Sequence, residues 1–162
     1  MNNMNTELLV NTFTQAPLQA RFDVRLKASA EAVFNVVANH AKMCDIVPGM
    51  ERITVRAAVD GEPSGVGTVR YCDFGNDMVI AEQIVLWQPP LAYGYKIAVP
   101  NPFGLWHHFS RVDCYPEEQH THLTWRQFFD HDDLPAMLAL ISGSLLGVFE
   151  NLIGRFGGET LT

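Results

Sequence analysis

The chain has 162 residues, 48% of them hydrophobic and only 18% charged, enough apolar surface for one core that needs neither metal nor disulfide. Eleven Lys and Arg against eighteen Asp and Glu give a formal net charge of -7 with no basic run, which argues against nucleic acid as a partner. Cys44, Cys72 and Cys114 are odd in number, widely spaced and form no CxxC pair, the pattern of reduced thiols in a cytoplasmic protein.

Residues 1–17, MNNMNTELLVNTFTQAP, lack the basic start and apolar core of a signal peptide and read as a loose extension to one domain over 18–158. The run RFDVRLKA alternates Phe22, Val24 and Leu26 with Arg21, Asp23, Arg25 and Lys27, a strand with one wet face. Ser29 is placed to cap a helix with Glu31 in its first turn and Val33, Phe34, Val36 and Val37 on its apolar stripe. A second short helix near His40–Ile46 stops at Pro48-Gly49. Six strands follow, Ile53–Val59, Thr68–Phe74, Met78–Trp87, Leu91–Val99, Trp106–Tyr115 and His120–Phe129, joined mostly by short turns.

Asp132 or Asp133 then caps a last helix, with Pro135 in its first turn and its end at Gly157-Gly158. The uncharged stretch Leu134–Phe149 is shorter than a typical span of about 20 apolar residues and is interrupted by Pro135, Gly143 and Gly147, so no stable membrane insertion is expected. The order predicts an α+β helix-grip architecture. A curved seven-stranded antiparallel sheet wraps a long C-terminal helix, two short helices lie between strands 1 and 2, and curvature leaves space between sheet and helix.

From about Leu18 to Gly158 the chain resembles the polyketide cyclase/dehydrase and lipid-transport superfamily, whose START-like members include steroidogenic-acute-regulatory lipid-transfer domains and birch-pollen-type allergens. The matching stretches are ASAEAVFNVV, IVPGME, GVGTVR, AEQIVLWQPPLAYGY and THLTWRQFFD, in that order. The resemblance implies an internal cavity for a hydrophobic or amphipathic small molecule, in a fold that also serves enzymes and protein-interaction modules. Plant abscisic acid receptors in this superfamily carry an inward Arg and Glu on a hairpin that looks like Arg70 and Glu82. Their long gating loop is replaced here by Gly75-Asn76-Asp77, so their gating is not carried over.

The hairpin can be registered from its turn alone. A three-residue Gly75-Asn76-Asp77 loop pairs Cys72 with Ile80 and sets Arg70 opposite Glu82, on a face that is otherwise apolar. Val69, Val79, Ala81, Val85 and Trp87 argue for the opposite face. An inward pair has two readings: a structural pair that pins register, or an anchor presenting Arg70 to a ligand carboxylate, enol or carbonyl.

In WHHFSRVD, Trp106, His108, Ser110 and Val112 share one face. A four-residue PEEQ turn would set Ser110 opposite Trp125 and His108 opposite Gln127, an inward polar and aromatic group. In the abscisic acid receptors, the positions resembling His108 and Ser110 line the pocket; a buried histidine satisfied by a neighbour is the plainer alternative. Tyr95 offers a hydroxyl from the fifth strand. On the last helix Met137, Ile141, Leu145, Val148 and Leu152 form the apolar stripe, the first four facing the cavity, and Ala139, Gly143 and Gly147 form a small-residue stripe suited to close packing.

His120, His122 and His131 with Asp130, Asp132 and Asp133 suggest no metal site, since they read as solvated and no third ligand falls at a defined spacing. No cofactor is implied. The expected function is carriage or sensing of a hydrophobic ligand. An enzyme closing and dehydrating a poly-carbonyl chain is the first alternative, with His108 or Glu82 for acid-base work, Tyr95 as donor and Arg70 at the enolate. An interaction module with a vestigial cavity is the second.

Overall fold

The structure, a computed structural model, describes residues 10–161. In chain order these form β1 (Leu18–Leu26), α1 (Ala30–Val37), a 3-10 helix (His40–Asp45), β2 (Arg52–Arg56), β3 (Val69–Asp73), β4 (Val79–Gln88), β5 (Ala92–Ile97), β6 (Trp106–Glu117), β7 (His120–Asp130), α2 (Leu134–Phe156) and β8 (Gly158–Thr160). The strands make one antiparallel sheet ordered β2-β3-β4-β5-β6-β7-β1-β8, with α2 packed across its inner face. This is the expected helix-grip fold. It gains an eighth strand too short to announce itself, in which Gly158 and Thr160 pair with Leu26 and Val24 of β1.

Local chemistry accounts for the element ends. The Ser29 hydroxyl accepts a hydrogen bond from Ala32 N at 3.1 Å and opens α1. Asp133 does the same for α2 through Ala136 N at 3.2 Å, with Pro135 in the first turn, and Gly157 ends that helix at φ +76°. β2 stops at Arg56, opposite Val69 where β3 begins, so it is shorter than the alternation over 53–59 suggests.

By length and apolar composition α2 could cross a bilayer. Here it lies on the sheet with Met137, Leu145, Val148, Phe149 and Leu152 buried. Phe149 meets Phe22 of β1 edge-on, ring centres 6.4 Å apart.

Of the segment 1–17, expected to be loose, residues 1–9 lie outside the described residues and the remainder is packed on the outer face of the sheet. Phe13 stacks on Phe109 at 4.8 Å, Thr14 Oγ1 donates to His107 O at 2.6 Å, and Lys96 Nζ donates to Phe13 O at 2.7 Å. Val10, Phe109 and Phe128 form a second small core there, separate from the one under α2. Aromatics on both faces of β6 and β7 require cover on both sides, and this segment supplies it.

The small-residue stripe on α2 divides. A Cβ on Gly147 would clash with Cγ of Pro48, in the loop before β2, whereas one on Gly143 would meet nothing within 4 Å. Gly147→Ala should therefore cost about 1–3 kcal/mol by overpacking. Gly143→Ala should stabilise by about 0.5–1 kcal/mol through helix propensity and lost unfolded-state freedom. Denaturant midpoints of the two variants moving in the same direction would contradict this division.

Candidate functional site

The three-residue turn places β3 against β4 as its length dictates: Arg70 is opposite Glu82 and Cys72 opposite Ile80. The face is the inner one, with Arg70 fully buried and its Nη2 2.7 Å from Glu82 Oε1. The rival parity argument loses Trp87, because the pairing slips between Ile84 and Leu86 and a one-residue bulge turns Trp87 inward. There Trp87 packs on Phe34, His40 and Tyr93.

Arg70 lies over the rings of Tyr95 at 4.6 Å and Tyr93 at 5.5 Å. Its Nη1 donates to Tyr93 Oη at 3.4 Å and to His40 Nδ1 at 3.5 Å, both long bonds. Tyr93 Oη donates to Val37 O at 2.7 Å, and His40 Nε2 donates to Ser64 O at 2.8 Å, which assigns the proton to Nε2. Glu82 Oε1 also accepts from Cys72 Sγ at 3.3 Å.

Burial, and then the Arg70 charge, push His40 down to about 4. Burial and the neighbouring Glu82 raise the Cys72 thiol, so it stays protonated. Burial opposes the Arg70 charge, but Glu82 outweighs it and holds the guanidinium charged. His40 was not singled out from sequence, because nothing local marks a residue 30 positions from Arg70 as its neighbour.

On β6 and β7 the register differs from expectation by two residues. Only Glu118 and Gln119 form the turn, so Pro116 pairs with Thr121, Ser110 with Gln127 and Val112 with Trp125. A shift of two keeps every side chain on its face, and the polar group still assembles, on the diagonal: Trp125 Nε1 donates to Ser110 Oγ at 2.9 Å and His108 Nε2 to Gln127 Oε1 at 2.7 Å. A bulge at His107, φ +54°, breaks the parity before His108 and leaves Trp106 half exposed rather than inward. His108 is buried on Tyr95, ring centres 5.6 Å apart, its Nδ1 has no partner, and burial pushes it down to about 4.

Between this wall and α2 lies a cavity of about 390 Å³. Arg70, Glu82, Tyr95, His108, Trp125 and Gln127 line it from the sheet, and Met137, Ile141, Leu145 and Val148 from the helix. Ser110 stands behind the wall, its hydroxyl donating to Arg126 O at 3.1 Å. Sequence reading did not find Met43, Val47 and Pro48 around the 3-10 helix, nor Phe103 in the β5–β6 loop, which also line it. Their only signal was apolar character, Met43 in the second short helix and the others in segments read as connections.

The outer histidines are not simply solvated. His122 Nε2 lies 2.7 Å from Asp23 Oδ1, on a carboxylate that Arg21 and Thr124 also bind, and hydrogen bonds hold that carboxylate below its usual range against burial. His131 Nε2 donates to Phe103 O at 2.8 Å while its Nδ1 accepts from Asp133 N at 2.9 Å, tying the β5–β6 loop to the start of α2. Among the described residues no group of three or more His, Cys, Asp or Glu gathers to hold a metal.

A curved antiparallel sheet closed over one long helix with a cavity between them defines a helix-grip protein. The chain belongs to the polyketide cyclase/dehydrase and lipid transport family, whose pattern matches residues 18–156. Similar solved structures include a protein from Thermobifida fusca, 20% identical with TM-score 0.66 over 82% of this chain and 91% of that one. The ZhuI aromatase/cyclase from Streptomyces is 16% identical with TM-score 0.66 over 84% and 91%. Norcoclaurine synthase from Thalictrum flavum, solved with dopamine and hydroxybenzaldehyde, is 12% identical with TM-score 0.63 over 90% and 88%. At these identities the likeness is one of fold. No curated relative matches the chain.

Proposed function

We propose that this protein holds a hydrophobic or amphipathic small molecule, for carriage or sensing, in the cavity between sheet and α2. The observation that carries the reading is the cavity itself. It is about 390 Å³, apolar over most of its wall, and meets a few convergent polar groups at one end, the usual make-up of a small-molecule site. Membership of a family described by cyclases, dehydrases and lipid transport supports a ligand of this kind.

Native mass spectrometry of the protein as purified should show a co-purifying molecule. Ile141→Trp, on the cavity face of α2, should fill the space and weaken binding of an uncharged fluorescent probe by at least about tenfold, or about 1.4 kcal/mol. Unchanged probe binding by a folded Ile141→Trp variant would place the ligand elsewhere.

The buried acid-base groups favour one second reading, cyclisation and dehydration of a poly-carbonyl chain. His108 is neutral with a bare Nδ1, and Glu82 and Tyr95 line the same wall. Turnover of poly-ketone analogues, lost in His108→Phe while probe binding persists, would support that reading over carriage.

A further inference from the structure

The cavity's polar end carries one cation together with its counter-ion. Among the described residues Arg70 is the only cationic group on its wall, and Glu82 already compensates it at 2.7 Å. Of the two side chains the guanidinium has no exposure and the carboxylate is 10% exposed, so an entering molecule meets the acceptor of the pair and not the donor. His108 adds a second acceptor. Its Nε2 proton is committed to Gln127 Oε1, so the lone pair left on Nδ1 is an acceptor too, but it is as buried as the guanidinium and leaves the Glu82 carboxylate as the acceptor an entering molecule meets.

The other titratable groups around this end are Cys72 on β3, Tyr95 and Tyr93 on β5, and His40 behind Arg70, all neutral at pH 7. β7 contributes Trp125 and Gln127 and α2 contributes Ser144, none of which titrates, and Lys96 of β5 is held on the outer face by Phe13 O.

Given that the cavity is a binding site, we infer that its ligand enters uncharged and presents a hydroxyl or phenol hydrogen to Glu82, and that carboxylates are rejected. A second anion would be desolvated beside Glu82, with the one cation on the wall buried behind that carboxylate and paired with it, whereas a neutral O–H donates to the carboxylate. An ester or ketone of the same shape brings only another acceptor.

The test displaces N-phenyl-1-naphthylamine, an uncharged fluorescent probe, with 1-decanol, methyl decanoate and decanoate at about pH 8, where the acid is ionised. Decanol should displace the probe at concentrations about tenfold lower than either of the others. In Glu82→Gln, which frees the Arg70 charge, decanoate should gain about tenfold and decanol should not gain. Decanoate or the methyl ester matching decanol on the wild-type protein overturns the inference and leaves the binding reading standing. Failure of all three ligands and of the probe to bind removes the binding reading and the inference with it. Should Glu82→Gln not fold, the wild-type series decides alone.

Discussion

Stability should fall by on the order of 5 kcal/mol as pH drops from about 7 to about 4, through His40 and His108. Both are held neutral with folded values of about 4 against an ordinary 6.5, mainly by burial and, for His40, also by Arg70. A lowered histidine value means that the unfolded chain binds the extra proton first. The contribution is complete above about 6.5, declines below it, and is lost as pH falls through about 4. Asp23, also lowered, adds its own loss further into acid. Urea unfolding at a series of pH values measures the slope, and a folded His108→Phe variant should retain about half of it. A flat profile between about pH 7 and 4.5 would mean that these imidazoles titrate normally.

Arg70→Met or Glu82→Leu alone should each cost about 3–5 kcal/mol, because either leaves an uncompensated charge in the interior. The double variant should cost far less than the sum, since Tyr93, Tyr95 and Ile84 already give the pocket an apolar wall. The coupling energy from that cycle should exceed about 2 kcal/mol. Additive single effects would show that the 2.7 Å pair carries no interaction of its own. His40 loses its Nδ1 partner in Arg70→Met, so part of the histidine pH dependence should weaken in that variant as well.

The element order, the capped ends of α1 and α2, and the inward stripe of α2 were legible because they rest on nearest-neighbour chemistry: alternation, cap residues, helical periodicity. The β3–β4 register was legible for the same reason, since a three-residue loop leaves one pairing; the apolar company of Arg70 and Glu82 favoured the inner face, but against a rival apolar set on the other, and the structure decided it. The same reasoning at β6–β7 assumed a four-residue turn where two residues suffice, and missed the register by two while keeping the faces.

What the sequence by itself determined is therefore whatever depends on residues a few positions apart: the helix-grip order of elements, the facing Arg70–Glu82 pair and the apolar helix stripe. Only the tertiary structure decided the bulges that turn Trp87 inward and Trp106 outward, because a bulge bends and twists its strand as the sheet curves around α2, which no local pattern announces. It also decided the packing of residues 10–16 over Phe109, the His40–Arg70 contact, and the lining of the cavity by Val47, Pro48 and Phe103. Each joins segments tens of residues apart, where no local pattern carries the information and shape complementarity across the whole core selects the outcome.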